Sequence, residues 1–156
     1  MKIDLLSAHR DFIPILSQWH QNQWSYLNPS RTVEDRIEEF QQETARKEIP
    51  TTFVAMSGNV LLGSASIVAH DMDTRMHLTP WLASVYVTPR HREQGIGSEL
   101  VKRTVEEAKE LGVKTLYLYT PDRERFYKRL GWSVLELEKY HGENVVIMTL
   151  HLTHDQ

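Results

Sequence analysis

The sequence predicts a mixed α/β layered domain. Short runs of β-forming residues recur along the chain, amphipathic stretches with helical periodicity lie between them, and the composition excludes collagen-like, low-complexity and disordered readings. The 156 residues, 40% apolar and 25% charged, suffice for one core of ordinary size and no second, so residues 1–156 are expected to fold as one domain.

Residues 3–6 form a short apolar run suited to an edge strand. Residues 11–19 place Phe12, Ile13, Ile15, Leu16 and Trp19 on a helical stripe. Residues 20–30 hold Trp24, Tyr26 and Leu27 among polar neighbours and end on Asn28-Pro29-Ser30, which reads as a loop. A second helix starts at Ser30 or Thr32, where Thr32 and Asp35 have capping-box spacing. Ile37 and Phe40 give it a thin apolar face before Gln41-Gln42-Glu43. After Pro50, residues 51–56 and 60–70 read as strands joined by the turn Ser57-Gly58-Asn59.

Residues 71–80 are a polar loop, and residues 81–88 read as a central strand. Gly95-Ile96-Gly97 opens the strongest helix, with Leu100, Val101, Val105, Ala108 and Leu111 on one face and Gly112 as its stop. Residues 113–119 form another strand, and residues 122–130 a short helix ended by Gly131. Residues 132–137 and 145–152 close the order as strands around a turn at 140–144. The sequence of elements is β-α-α-β-β-β-α-β-α-β-β.

Charge and composition narrow the function. Eighteen basic and 21 acidic residues leave a net charge of −3, so no global positive field draws the chain to nucleic acid or anionic lipid. The absence of cysteine excludes disulfides, thiolate metal sites and cysteine nucleophiles. His151 and His154 stand near one end without other ligands, and no metal site is expected. No apolar run has the length of a signal peptide or a membrane span, so a cytoplasmic protein is expected.

The stretch Val85 to Ser98 carries the chemistry. It runs from a strand through a basic turn with two glycines into the amphipathic helix. The first helical turn leaves about four backbone N–H groups without intrahelical partners, and the helix dipole adds partial positive charge there. Gly95 and Gly97 let a diphosphate approach that backbone closely, and Arg90 and Arg92 add full charge at the mouth. A Walker loop is excluded because no lysine follows Gly97, and a dinucleotide fingerprint because Leu100 occupies its third glycine position. Ser98 lacks the Gly-x-Ser-x-Gly elbow of a hydrolase.

Val87-x-Pro89-x-x-Arg92-x-x-Gly95-Ile96-Gly97 resembles the acetyl-CoA-binding motif of the GCN5-related N-acetyltransferases, the GNAT superfamily. Downstream, Phe126-Tyr127-Lys128-Arg129-Leu130-Gly131-Trp132 is similar to that family's second block, and the element order between and around the blocks is also the family's. The resemblance implies a mixed, mostly antiparallel sheet of six or seven strands flanked by about four helices. It implies acetyl-CoA as cosubstrate, without a metal, and a primary amine, expected to be that of a small molecule, as acceptor. Homodimers are common among such relatives.

The same resemblance assigns residues. Main-chain amides from Gln94 through Gly95, Ile96, Gly97 and Ser98 would hold the diphosphate, with Arg92 beside them, and Val85, Tyr86 and Val87 would pair with the pantetheine amides. That strand is expected to splay from the one holding Thr115 to Tyr119. Tyr127 would lie at the thioester sulfur, and Thr120 occupies the place where the family often has a cofactor-contacting asparagine. The glutamate base of histone-acetylating relatives is replaced by Trp81, which leaves His70, Asp71, Asp73 and His77 as candidate bases. Trp24, Tyr26 and Trp81 are the expected acceptor contacts, aromatic faces near Asp71 and Asp73 that would suit a small cation with an apolar portion. The other readings are a CoA-binding module without turnover and an acetyltransferase acting on protein amines.

Overall fold

A computed structural model describes residues 1–42 and 49–152; Glu43 and His154 lie outside the described residues. Seven strands, β1 (Lys2–Leu5), β2 (Thr51–Ser57), β3 (Val60–Val68), β4 (Trp81–Val87), β5 (Thr115–Thr120), β6 (Ser133–Tyr140) and β7 (Glu143–His151), form one sheet. Their order is β1-β2-β3-β4-β5-β7-β6, and every adjacent pair is antiparallel except β4 and β5. The helices are α1 (Ile13–Trp24), α2 (Val33–Gln42), α3 (Ile96–Glu110) and α4 (Glu124–Arg129). This is the mixed, mostly antiparallel sheet with four helices that the family resemblance implied. Among the described residues, no helix is long and apolar enough to cross a membrane.

Strand periodicity explains why helices cover both faces. In β2, Phe53 and Ala55 join the core that holds Leu100, Val101 and Ala108 of α3. Their neighbours Val54 and Met56 point the other way, into a cluster with Ile13 and Leu16 of α1 and Phe40 of α2. Both faces of β2 and β3 are therefore covered, and those strands read as nearly unbroken buried runs that include the polar Thr52, Ser64 and Ser66. Full burial of a side chain such as Leu100 stabilises the fold by roughly 1.5–3 kcal/mol.

Two local outcomes differ from the expectations. Helix α1 does not end before residue 20 but continues to Trp24, because Ile13, Leu16, Ser17 and His20 form one buried stripe. The turn between β6 and β7 tightens to His141 and Gly142, both with positive φ (49° and 85°), which matches the twist of the paired strands.

The sheet opens at its centre. β4 and β5 are in register only at Trp81 and Tyr117, and beyond that pair they separate. On its other side β4 carries a bulge against β3, with the register shifting between Ser64 and Ser66 opposite Ser84, whose φ is +56°.

Candidate active site

The gap between β4 and β5 widens into a cleft of about 800 Å³. Its walls are Leu82 to Val87 of β4, Leu118 to Thr120 of β5, Tyr127 of α4, the loop from Ala69 to Asp73, Trp24 of α1, Arg36 of α2, and Arg31 from the connection between those two helices.

The start of α3 stands beside the mouth of this cleft. Gly95 takes the left-handed conformation (φ +84°, ψ 0°) and gives the helix no side-chain cap. A Cβ on Gly95 would meet no atom within 4 Å, so the space over this turn is open. A Cβ on Gly97 would lie 3.4 Å from Phe126 Cζ and 3.6 Å from a Val87 methyl, which places the first turn of α3 against the end of β4 and against α4. Arg92 ties the mouth together: its Nε donates to the Val87 carbonyl at 2.8 Å, and its guanidinium lies 5.5 Å from the Tyr86 ring centre. These features suit an anionic group held by main-chain amides.

Tyr127 lines the inner end of the cleft and is only 7% exposed, with its ring edge-on to Phe126 and Trp132. Burial holds its hydroxyl well above the ordinary tyrosine pKa, so it stays protonated and able to donate. Thr120 is also buried, and its Oγ1 accepts from the amides of Arg123 (3.0 Å) and Asp122 (3.4 Å), which fixes the turn into α4. Its own hydroxyl proton is not consumed by those bonds.

Asp71 is the acid that burial perturbs. Removal from solvent pushes its carboxyl up to about 6, against the opposing pull of Arg31. Asp73 also lines the cleft but is solvent-exposed, and its Oδ2 lies 3.3 Å from His141 Nε2.

The structure thus brings Trp24, Asp71, Asp73, Val85, Tyr86, Val87, Arg92, Thr120 and Tyr127 into one cleft. Gln94, Gly95, Ile96, Gly97 and Ser98 lie just outside its lining, at the start of α3. His70 lines the cleft; His77 and Tyr26 do not. Trp81 is corrected as an acceptor contact: it is 0% exposed and packs in a core cluster with Met72, Tyr140, Val145 and Ile147. Its indole N–H donates to the Leu78 carbonyl at 2.8 Å, so neither its face nor its polar edge reaches the cleft.

Three groups in or behind the cleft escaped the sequence reading. His20 is buried on the stripe of α1, its Nε2 3.0 Å from Ser64 Oγ, which in turn donates to the carbonyl of Ser84 at 2.9 Å. Because the serine proton goes to Ser84, His20 donates from Nε2 in the first bond. Burial, then the nearby Arg36 and Arg31, pull its pKa down to about 3, so the ring is neutral at pH 7. Arg36 is 5% exposed on α2, and Tyr119 faces the cleft from β5. An arginine between Val33, Ile37 and Phe40 on an otherwise apolar face was the available signal for Arg36.

Solved structures with this fold include an aminoglycoside 6'-N-acetyltransferase in complex with coenzyme A, at 16% identity and TM-score 0.76 with both chains covered completely. A ribosomal-protein-alanine N-acetyltransferase from Brucella melitensis has 19% identity and TM-score 0.74, over 97% of this chain and 100% of its own. A Salmonella typhimurium protein described as an acetyltransferase and solved with acetyl-CoA has 19% identity and TM-score 0.70, over 100% and 96% of the two chains. A search of curated protein sequences finds no match. The model of the acetyltransferase (GNAT) family matches residues 13–132, from the first helix through the second cofactor-side block, and with the split sheet and open helix start this chain belongs to that family of acyltransferases.

Proposed function

We propose that this chain is an acetyl-CoA-dependent N-acetyltransferase that passes an acetyl group directly to the primary amine of a small molecule. One observation carries the reading: the parting of β4 from β5 beyond Trp81 and Tyr117, beside a helix start with no side chain over its amides. The thioester of acetyl-CoA supplies an activated acyl group and a thiolate leaving group.

The chain's own residues do the rest. Amides from Gln94 to Ser98 hold the diphosphate, Arg92 adds charge at the mouth, and the main chain of Val85 to Val87 pairs with the pantetheine amides as an added strand would. The Thr120 hydroxyl donates into the cleft from the neighbouring strand.

At pH 7 an alkyl amine of pKa ~10.4 is almost wholly protonated, and freeing its lone pair costs about 4.6 kcal/mol. Asp71 takes that proton. Its carboxyl, raised to about 6, is ionised at neutral pH yet a stronger base than an ordinary aspartate. Asp73 is the weaker candidate because solvent and His141 already engage it, and His77 lies outside the cleft. Tyr127 donates a hydrogen bond to the departing sulfur; with its pKa raised by burial, it stabilises developing charge rather than surrendering its proton early. Trp24 lies 5.9 Å from the Tyr86 ring, an aromatic wall for the apolar part of the acceptor.

Calorimetric titration with acetyl-CoA, followed by a thiol-release screen over primary amines, tests the proposal. Saturable binding and amine-dependent CoA release are expected. Absence of acetyl-CoA binding would overturn the reading, and tight binding with silence across the screen would leave a CoA-binding module without turnover.

A further inference from the structure

We propose that the acceptor is an amine that also bears a carboxylate, an amino acid in the broad sense, with the carboxylate seated against Arg36 and Arg31. This rests on the acetyltransferase reading above and names the substrate class for the same cleft.

The argument starts from unmatched donors. Among the described residues, six buried side-chain polar atoms have no hydrogen-bond partner, and the two that belong to cleft residues are Arg31 Nε and Arg36 Nη2. Arg36 is 5% exposed, yet no carboxylate among the described residues lies within ion-pair distance of it. Its Nε donates to Gln21 Oε1 at 2.8 Å, while the amide of Gln21 donates to the Arg31 carbonyl at 3.0 Å. Gln21 therefore orients one edge of the guanidinium, while Nη2 has no partner. Arg31 pairs at one end with Glu39 and has its own Nε unmatched.

A buried cation without an anion is costly unless a partner arrives. Burial, and then Arg31, pull Arg36 down only to about 10, so it still carries its charge at neutral pH. A planar guanidinium with free N–H groups matches a carboxylate, which can accept two parallel bonds. The amine has its own counterpart in the same cleft, the carboxylate of Asp71. An acceptor with positive and negative ends satisfies both groups. A polyamine with no anion would set a further ammonium against Arg36.

The test uses the full chain at saturating acetyl-CoA and matched amine sets: α-, β- and ω-amino acids, their carboxamides, and the amines lacking the carboxyl group. Thiol release should give a kcat/KM at least about tenfold higher for a free-carboxylate member than for its own amide. Arg36→Gln should erase that difference with acetyl-CoA affinity unchanged, and Arg36→Lys should keep part of it. If the variants do not fold, the wild-type comparison alone decides.

Equal or better turnover of amides, decarboxylated amines or polyamines overturns the inference while leaving the acetyltransferase reading intact. Silence with every amine overturns it too. Loss of acetyl-CoA affinity in a folded Arg36→Gln protein would overturn it by assigning the arginine to the donor instead. Failure of the wild-type protein to bind acetyl-CoA at all would remove the broader reading.

Discussion

Helix α2 begins on a closed cap: the Thr32 amide donates to Asp35 Oδ2 at 2.9 Å and the Asp35 amide to Thr32 Oγ1 at 3.1 Å. Helix α3 begins on Gly95, which has no side chain to offer. The difference follows from what else holds each helix. α2 has ten residues and buries only Arg36 and Phe40 among those described, so a reciprocal cap is a large share of its support. α3 has 15 residues and buries six, among them Ile96, Leu100, Val101 and Ala108, and packing alone secures it. In the proposed function its first amides, which no side chain caps, receive the diphosphate. An uncapped helix start is thus tolerable where packing is strong and is available for the proposed cofactor site, whereas the same gap in α2 would simply weaken the fold.

The comparison can be broken from its open side. Ser98→Glu puts an acid at the third helical position, where its side chain can turn back on the Gly95 amide and make α3 resemble α2. Acetyl-CoA affinity should fall on the order of 100-fold or more, about 2.7 kcal/mol, with Tm unchanged or higher. Calorimetry and thermal melts on one sample check both halves.

Asp71→Asn separates chemistry from binding on the same side. It should lower kcat/KM about 100-fold at neutral pH without changing acetyl-CoA affinity. In the proposed reaction the carboxylate is the active form, so kcat/KM should climb as pH rises through about 6. The asparagine variant should lack that limb in a pH–rate profile.

Tyr127→Phe removes one hydrogen bond to a charged group and should reduce kcat about 10- to 100-fold, again at unchanged affinity. An unaltered kcat would take this tyrosine out of the reaction. Thr32→Ala gives the smallest effect and completes the contrast: Tm should drop by about 2–4 °C while acetyl-CoA affinity and turnover hold.

What could be read from the sequence was what depends on near neighbours in the chain. Runs of β-forming residues, the long apolar face of α3, the Thr32–Asp35 spacing and the glycine turn at 95–97 are all local signals, and the elements they predicted stand within a few residues of those places. The overlooked features depend on distant partners. His20 ends up buried because Ser64, 44 residues away, accepts its hydrogen bond, so a polar residue extends the helix where a loop was expected. Arg36 is held by Gln21 from another helix, and the bulge at Ser84 arises from register against β3. Trp81 was misplaced for the same reason: its position at the start of β4 was clear, but the face it shows is set by Tyr140 and Ile147 from the far end of the chain.

The central claim concerns a few amides, and they can be watched directly. In a backbone ¹⁵N–¹H titration with coenzyme A, the resonances of Gly95, Ile96, Gly97 and Ser98 should shift most, followed by those of Val85 to Val87, while the capped amides of Thr32 and Asp35 stay in place. Shifts centred anywhere else, with the start of α3 unmoved, would contradict the account.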